Sequence, residues 1–403
     1  MPNQTRVFLV TRVLLVIIPD ELSAIVRKGE LTPRYYNPCN FFDKIHILMT
    51  NGDKVDPAPV QLLAGNAELH LHNLPLRRNL GIRLTNRLWI CPQPIFLDKW
   101  INEGVQVAKE LKPDLIRCYG ISYNALLAAR IKKRLGIPFV VSLHNNPDDD
   151  FRGREAKSLR QMIIAWSHKS VERPALRAAD HFIAVYRTII PYLTHNKVTN
   201  YSVIYNAVGY GAKPKDNYSL HDPVRILCVG RQISKHKDPT HIVEAVSALD
   251  NTVLTLVGDG ELHEPLIKLA KQLGCDSRCK FVPALHNKEV IKLLHESDVF
   301  VFNQIILGIS KAVIEAALTG LPIIVNRRPF EAVDELSADW LMQVEDSKEG
   351  YLEAMRKLLH DKTERERLGK AAYSYARQFW APEKLEDQVV EVYRQVMRDG
   401  TAR

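Results

Sequence analysis

Hydrophobic residues along this chain fall into short runs of strand length, and stretches with helical spacing separate the runs. Such alternation is typical of a parallel sheet with helices on both faces. A run from Val7 to Ile18 predicts the first strand. Further runs of β-branched and aromatic residues predict strands at 43–49, 114–119, 139–143, 181–185 and 201–205.

The stretch 206–223 interrupts this pattern, because it is rich in Gly, Lys, Asp, Asn and Pro and has no periodicity. We interpret it as an interdomain linker. Alternation resumes after it, with strands predicted at 225–229, 253–257, 298–302 and 323–325. We therefore predict two α/β domains, at 1–205 and, with the linker, at 206–378. A C-terminal helix at 379–403 is expected to pack back toward the first domain.

The stretch from Gly308 to Pro322 predicts a short buried helix between two strands, because Ser310 can cap its start and Gly320 can end it. Glu315 is a carboxylate among apolar residues, and its burial costs several kcal/mol unless a cleft satisfies it. Free amides at the helix start suit an anion. A carboxylate for hydroxyls beside amides for phosphate suggests a nucleotide-sugar site. The alternative is a structural Glu315 paired with an arginine of the same domain.

Composition narrows the class of protein. With 46% hydrophobic and 25% charged residues, the chain is neither disordered nor fibrous. A net charge of +9 points to anionic partners: phosphorylated ligands, nucleic acid or an acidic membrane surface. Six irregularly placed cysteines fit neither a disulfide scaffold nor a zinc site, which favours a reducing cytosol. The first apolar run contains Arg12 and is shorter than the roughly 20 residues that span a bilayer.

Two basic segments lie in the first half. At 151–180, arginines and lysines interleave with Leu, Met, Ile and Trp, so this amphipathic segment can lie on an anionic membrane or an acidic acceptor. The alternative is a solvated basic face over a core stripe. The second cluster consists of Arg77, Arg78, Arg83 and Arg87. No aromatic stacking platform or known module for nucleic acid is found in the sequence, so nucleic acid is not an expected partner.

Two further residues are candidates from their positions. His144 follows the strand predicted at 139–143, and the carboxyl ends of parallel strands are where such sheets bind ligands. Gly29 is placed at a strand-to-helix turn, where backbone can approach a ligand. A structural histidine and an ordinary turn glycine are the alternatives.

The second half contains several short motifs: VGR at 229–231 with Lys237 downstream, VGDGE at 257–261, FVP at 281–283, DVFV at 298–301 and EAALTGLP at 315–322. Looser ones in the first half are KPD at 112–114, GIPFVV at 136–141 with His144, AD at 179–180 and VIYNAV at 203–208. Together they resemble the GT-B glycosyltransferases of family 4. The resemblance implies two Rossmann-like domains that face each other across a cleft and close over the donor.

The resemblance also implies a retaining hexosyltransferase that needs no metal or cofactor and uses a UDP- or GDP-linked sugar. Arg231 and Lys237 would bind the donor diphosphate, and paired cations can neutralise the charge that develops on a leaving phosphate. Lys235 competes with Lys237, because the loop is one residue longer than is usual in the family.

The remaining residues of the implied donor site come from other parts of the chain. Glu315 would hold the ribose hydroxyls, and His144 would approach the donor sugar from the opposite domain. Pro283 and Ala284 would lie beside the base of the nucleotide. Further donor-binding candidates are Gly29, Gly308, Ile309, Ser310 and Lys311.

Two positions depart from the family pattern. The first glutamate of the E-x7-E motif falls on Leu307, and Gly29 is the nearest substitute for the usual Gly-Gly turn. A leucine cannot accept a hydrogen bond, so a charge-assisted contact worth about 1.5–3 kcal/mol is absent. We expect an adapted pocket, whose donor places a deoxy carbon or a methyl group against Leu307.

The leading hypothesis is an enzyme of bacterial surface polysaccharide or glycoconjugate synthesis with a glycan or lipid-linked acceptor. We expect it in the cytoplasm, peripheral at the inner face of the membrane. Leu307 motivates a second hypothesis, a degenerate protein that binds nucleotide sugar or a partner without turnover. A sugar-nucleotide epimerase is disfavoured, because Arg231, Lys237 and Glu315 fit transferases better.

Overall fold

The structure is a computed structural model that describes residues 11–76, 91, 93–150, 158–234, 237–305, 308–327 and 333–401, except for the side chains at 149, 150, 160, 161 and 401. Contacts within the chain divide it into two compact units. Unit 1 consists of Met1–Ala24, Pro33–Ile204 and Glu386–Arg403, and unit 2 of Ile25–Thr32 and Tyr205–Leu385. The predicted domain ranges left Ile25–Thr32 in the first domain.

Unit 1 is built on a parallel sheet of seven strands. Its strands are β1 (Val13–Ile18), β2 (Lys44–Met49), β3 (Glu68–Asn73), β4 (Leu115–Tyr119), β5 (Phe139–Leu143), β6 (His181–Ala184) and β7 (Tyr201–Val203). Their order is β3-β2-β1-β4-β5-β6-β7, with Leu15 of β1 opposite His46 on one side and Ile116 on the other. The central strands are buried along their length, which explains their continuous apolar runs.

Helices cover this sheet. They are α1 (Leu22–Lys28), α2 (Pro57–Ala64), α3 (Asp98–Leu111), α4 (Tyr123–Leu135), α5 (Pro147–Asp150), α6 (Leu159–Ala178) and α7 (Ile190–His195). The last helix of the chain, α14 (Pro382–Thr401), contributes the fully buried Tyr393 to unit 1. The Tyr393 ring centroid lies 5.5 Å from that of Phe42, and its hydroxyl accepts a hydrogen bond from Arg117.

Unit 2 carries a second parallel sheet, of six strands in the order β10-β9-β8-β11-β12-β13. The strands are β8 (Val224–Val229), β9 (Thr252–Val257), β10 (Cys279–Val282), β11 (Val299–Phe302), β12 (Ile323–Asn326) and β13 (Met342–Val344). The helices are α8 (Thr240–Ser247), α9 (His263–Gln272), α10 (Asn287–Glu296), α11 (Lys311–Leu318), α12 (Lys348–His360) and α13 (Lys362–Phe379).

The predicted strand-helix-strand unit is present as β11, α11 and β12. Gly320 follows α11 with a left-handed φ of 69°, and its amide donates to the carbonyl of Ala317, so the predicted helix end is confirmed. The predicted cap is wrong in one respect. Ser310 occupies the N-cap position, but its side chain makes no capping hydrogen bond.

Candidate functional site

In unit 2, strands β8 and β11 are neighbours, and the connections that follow them run toward opposite edges of the sheet. Strand β8 lies between β9 and β11, so the strand order reverses there. In open parallel sheets, ligands bind outside the carboxyl ends of the strands at such a point. The loop after β8 carries Arg231 and Lys237, and the loop after β11 leads to α11. The topology therefore brings the predicted diphosphate and ribose residues to one place in unit 2.

Glycines allow the loops after β8 and β9 to interlock. Gly258 has a φ of 137°, and a Cβ atom there would lie 2.0 Å from the carbonyl oxygen of Gly230. Gly260 has a φ of 157°, and its Cβ would lie 2.2 Å from the carbonyl oxygen of Gln232. Side chains at either position would force the two loops apart. The glycines of the VGDGE motif thus hold the backbone of 230–232 in place.

Lys237 is anchored by a short antiparallel pairing. Its amide donates to the Ile233 carbonyl over 2.8 Å, and the Ile233 amide donates back over 2.9 Å. The ammonium of this half-buried side chain lies 5.5 Å from the ring centroid of Phe302. Burial lowers the pKa of Lys237, with further lowering by Lys311 and Arg231. The loop thus collects positive charge around Lys237.

The two cationic candidates of the loop differ in accessibility. Arg231 is exposed, whereas Lys237 is half-buried. Lys235, the alternative to Lys237, lies outside the described residues.

Glu315 is buried, with 8% of its surface exposed. Burial raises the pKa of Glu315 to about 7, while Lys311 and a hydrogen bond from the backbone amide of Gly209 act in the opposite direction. In the part of the chain that the structure describes, no arginine forms an ion pair with this carboxylate, so the predicted structural pairing is not found there. A buried carboxylate supported by one amide and a nearby lysine retains acceptor capacity for hydroxyl groups.

The segment before α11 is braced by Gln304, a residue that sequence reasoning missed. Its side-chain amide donates to the carbonyl of Gly308, and its side-chain oxygen accepts from the Ser310 amide over 3.1 Å. The expectation of free amides at the helix start is therefore wrong for Ser310. Gly308 has a φ of 109°, which favours glycine. Gln304 is itself fixed, because its backbone amide donates to the side-chain oxygen of Asn326 over 2.7 Å.

The other residues predicted around the helix start have different environments. Ile309 is buried, whereas Lys311 is half-buried and acts electrostatically on both Lys237 and Glu315. Leu307 lies outside the described residues, so its prediction stays one from sequence alone.

Gly29 has a different position from the predicted one. It follows helix α1 with a φ of 70°, and so it ends a helix and does not lie at a strand-to-helix turn. A Cβ atom on Gly29 would lie 2.6 Å from the carbonyl oxygen of Leu285. The close backbone approach made possible by this glycine is therefore to the loop after β10. Two exposed residues of that loop, Pro283 and Ala284, were predicted to lie beside the base.

This packing brings in Glu30, which was not predicted from the sequence. The Asn287 side chain donates to the carbonyl of Leu31 over 3.3 Å, which ties the segment to unit 2. Exposed Glu30 raises the pKa of both Lys237 and Glu315. Sequence reasoning missed Glu30 because the segment Ile25–Thr32 lies in the first half of the sequence but packs with unit 2.

His144 belongs to unit 1, where it directly follows β5 as predicted. Its ring is stacked on Tyr119, with centroids 5.4 Å apart and an interplanar angle of 28°. The Tyr35 centroid lies 6.4 Å away. The structure thus adds two tyrosines to the candidate residues around His144.

Helix α6 helps to decide between the two interpretations of the segment 151–180. Residues 151–157 lie outside the described residues, as does the cluster of Arg77, Arg78, Arg83 and Arg87. On α6 itself, Leu159 and Trp166 are 74% and 58% exposed, and Met162 and Ile163 are also exposed. A core stripe is therefore excluded for the first half of α6, although Val171 further on is buried.

Two features are absent from the described residues. No group of three or more His, Cys, Asp or Glu side chains is arranged to hold a metal ion there. None of the helices in the described ranges combines the length and apolar character needed to cross a bilayer.

Comparison with known proteins places this geometry in context. The model of Glycosyltransferase Family 4 matches residues 45–209, and that of Glycosyl transferases group 1 matches residues 212–375. The lipopolysaccharide core biosynthesis glycosyltransferase LpsE of Rhizobium meliloti is 27% identical over 150 residues, which are 37% of this chain and 43% of that protein. The chain spans about half the length of the curated relatives it matches.

Solved structures match almost the whole chain in fold, although their sequence identity to it is low. Sucrose-phosphate synthase from Thermosynechococcus elongatus has a TM-score of 0.68 at 15% identity, covering 96% of this chain and 100% of that one. Anabaena Alr3699/HepE, solved in complex with UDP, has a TM-score of 0.67 at 14% identity, with the same coverage. At such identities the likeness shows the fold, and the predicted α/β architecture of two Rossmann-like domains is confirmed.

Proposed function

This chain belongs to the GT-B glycosyltransferases of family 4, group 1, and from that premise we propose that it transfers a hexosyl group from a nucleotide sugar. The acceptor is a glycan or a lipid-linked glycan of a bacterial surface polysaccharide or glycoconjugate. The curated relative LpsE, named for lipopolysaccharide core biosynthesis, supports this acceptor class. The proposed reaction retains the anomeric configuration and needs no metal ion or cofactor.

One observation carries the proposal. In the loops that follow β8 and β11, Arg231 and Lys311 act electrostatically on Lys237, and Lys311 also acts on the buried carboxylate of Glu315. Like charges that interact in this way disfavour one another, and a bound diphosphate would compensate their repulsion with attraction to each cation. Glu315 supplies acceptors for ribose hydroxyls in the same place. Cations for phosphate beside a carboxylate for hydroxyls match the two ends of a nucleotide diphosphate.

The proposed roles follow from this charge pattern. Lys237 and Arg231 stabilise the negative charge that develops on the leaving diphosphate as the glycosidic bond breaks. Lys237 is held by its backbone pairing with Ile233, so it is positioned before the donor arrives. UDP is the first donor base to test, because Alr3699/HepE was solved with UDP and shares the fold.

The test is a panel of UDP- and GDP-linked hexoses and deoxyhexoses, scored for binding by calorimetry and for slow hydrolysis, which needs no acceptor. We expect at least one donor to bind and to be hydrolysed. With an adapted pocket, wild type prefers a deoxyhexose and Leu307→Glu shifts the preference toward ordinary hexoses, whereas Leu307→Met, which keeps the position apolar, does not. Absence of binding by every nucleotide would refute the donor site.

Leu307 favours one second candidate, a protein that binds nucleotide sugar without turnover. The same panel separates the two. Binding without hydrolysis by wild type, together with hydrolysis by Leu307→Glu, would identify the leucine as an inactivating change.

We further propose that the protein works at the cytoplasmic face of an anionic membrane and contacts it through α6. Its exposed residues Leu159, Met162, Ile163 and Trp166 follow helical spacing on one face, and the exposed Arg173 and Arg177 continue that face. Apolar side chains enter the interface while arginines bind anionic headgroups.

Vesicle sedimentation tests this contact. We expect wild type to bind vesicles that contain phosphatidylglycerol at low salt and to bind phosphatidylcholine vesicles much less. Leu159→Ser with Trp166→Ser should reduce binding, whereas Leu273→Ser, at an exposed leucine of unit 2, should not. Equal binding of both vesicle types, or of the double variant and wild type, would remove α6 as the contact.

A further inference from the structure

An aromatic cluster lies at the carboxyl ends of β4 and β5 in unit 1. Tyr119 is the last residue of β4, and its ring lies 5.7 Å from Tyr35 and 5.4 Å from His144, centroid to centroid. Tyr36 packs edge-on against Tyr119, with centroids 5.3 Å apart. Three rings therefore lie side by side, with a fourth behind them. The strand order of this sheet reverses next to β4, where ligands of such sheets bind.

The rings of this cluster differ in exposure. Tyr36 and Tyr119 are buried, whereas Tyr35 and His144 are half-buried and present part of their surface to solvent. Here one aromatic side chain and one imidazole remain accessible at the end of the sheet.

Tyr119 has an unsatisfied polar atom. Its hydroxyl is buried, and no hydrogen-bond partner for it occurs among the described residues. An unpaired buried hydroxyl costs about 1–3 kcal/mol. Burial raises the pKa of Tyr119, so the group stays a neutral hydroxyl that can donate or accept. A ligand hydroxyl is a suitable partner.

Buried polar contacts hold the cluster in place. The Arg117 guanidinium lies 4.9 Å from the Tyr119 ring centroid and donates to Ser142 over 3.0 Å and to Tyr393 over 2.7 Å. These bonds fix one side of Tyr119. The neighbours of Tyr35 in the chain are fixed by Glu386.

Glu386 acts on the segment that carries Tyr35 at two points. Its carboxylate, which is 5% exposed, accepts from the Arg34 guanidinium over 3.0 Å and from the Cys39 amide over 2.7 Å. Tyr36 is also tied down, because its amide donates to the Leu63 carbonyl over 3.0 Å. The accessible ring of Tyr35 is thus positioned without a ligand, which lowers the entropy cost of binding on it.

We propose that Tyr35, Tyr119 and His144 form a carbohydrate-binding platform that takes a sugar ring of the acceptor. The apolar C–H face of the sugar packs on the ring of Tyr35, and a sugar hydroxyl pairs with the hydroxyl of Tyr119. His144 lies beside them as the polar edge of the platform. The assignment of the sugar to an acceptor rests on the proposed function, whereas sugar binding itself does not.

Saturation-transfer NMR with the methyl glycosides of glucose, galactose, mannose and N-acetylglucosamine tests the platform. We expect at least one glycoside to receive saturation from wild type. Tyr35→Ala should weaken its binding at least fivefold, while Tyr35→Phe, which keeps the ring, should stay within about twofold. Tyr119→Phe removes only the hydroxyl and should weaken binding about fivefold or more.

Tyr201→Ala is the matched control, since Tyr201 is a half-buried tyrosine at the start of β7. It should bind the glycosides like wild type. Tyr201→Ala should also hydrolyse the donor at the wild-type rate.

Two outcomes would overturn the platform: no methyl glycoside binds wild type, or Tyr35→Ala and Tyr119→Phe bind like wild type. Failure of the proposed function has a different signature. In that case nucleotides do not bind, while glycosides still bind in a manner that depends on Tyr35. Loss of both glycoside binding and donor hydrolysis in Tyr35→Ala with intact folding would also overturn the assignment, because the residue would then serve the donor.

Discussion

The two units prepare their candidate sites in different ways. In unit 2, Lys237, Lys311 and Glu315 are ionisable; burial lowers the pKa of Lys237 and raises that of Glu315, while Lys311 lowers the pKa of both. In unit 1, the platform around Tyr35 and Tyr119 is aromatic and neutral on its accessible side. By our proposals, the site in unit 2 uses buried charges to bind a charged ligand, and the site in unit 1 uses aromatic surface to bind a neutral one.

The loops that carry the two candidate sites are also held in place in different ways. Around Lys237, backbone pairing with Ile233 and the close backbone contacts of Gly258 and Gly260 hold the loop. Around Tyr35, a buried carboxylate from a distant helix holds the loop. We expect variants in unit 2 to change ligand chemistry first, and variants behind the platform to change stability first.

The largest expected effect comes from Lys237→Ala. Removing a positioned cation that faces a developing negative charge should reduce donor hydrolysis by about 10²–10³-fold. The measurement is hydrolysis of the best donor from the panel, with folding checked by thermal denaturation. Lys280→Ala, at an exposed lysine of β10, is the control and should retain activity. A loss of less than about threefold would exclude Lys237 and turn attention to Lys235.

Glu386→Ala tests how the loop of Tyr35 in unit 1 is held. It leaves Arg34 and the Cys39 amide without their buried acceptor, so the free energy of unfolding should fall by about 2–4 kcal/mol. Urea denaturation measures this loss, and glycoside binding should weaken with it, because the loop of Tyr35 is released.

Glu391→Ala is the matched control on the same helix. Glu391 is 61% exposed and pairs with Arg394 and Arg398 at the surface, so its removal should cost no more than about 1 kcal/mol. Equal losses in the two variants would contradict the idea that Glu386 holds the platform.

The smallest expected effect is a pH dependence that only the site of unit 2 should show. The pKa of Glu315 is raised to about 7, so the carboxylate is increasingly protonated below that pH and accepts fewer hydrogen bonds from ribose. Affinity for a UDP-sugar should therefore fall up to about tenfold between pH 8 and pH 6. The diphosphate of a UDP-sugar does not titrate in this range, so calorimetry reports the protein.

Glu315→Gln provides the control for both binding and stability. Its affinity should be weaker and independent of pH. The folded-state pKa of Glu315 exceeds the unfolded value of 4.5, so the stabilising proton is fully bound below pH 4.5 and is lost as pH rises through 7. At pH 8 the glutamine variant should thus be more stable than wild type by about 1–3 kcal/mol. Wild-type affinity that does not change with pH would contradict the assignment of Glu315 to ribose.

Much of the fold could be predicted from local patterns. Continuous apolar runs predicted β4, β5 and β8 to within a residue or two, because strands buried on both faces have no polar side. Strand β3 was missed for the converse reason. It lies at the edge of the sheet, and its polar sequence Glu68–Asn73 is half-exposed along its middle.

By itself the sequence determined the two α/β halves, the helix around Glu315 and the cations of the loop after β8, since each depends on periodicity or on glycines within a few residues. Only the tertiary structure decided that Asn326 of β12 holds Gln304, that Glu30 packs with unit 2 and that Tyr35 meets Tyr119. Local spacing records which face of one element is buried. Which side chains from distant elements meet is set by strand order and loop paths, and no short stretch of this chain carries that information.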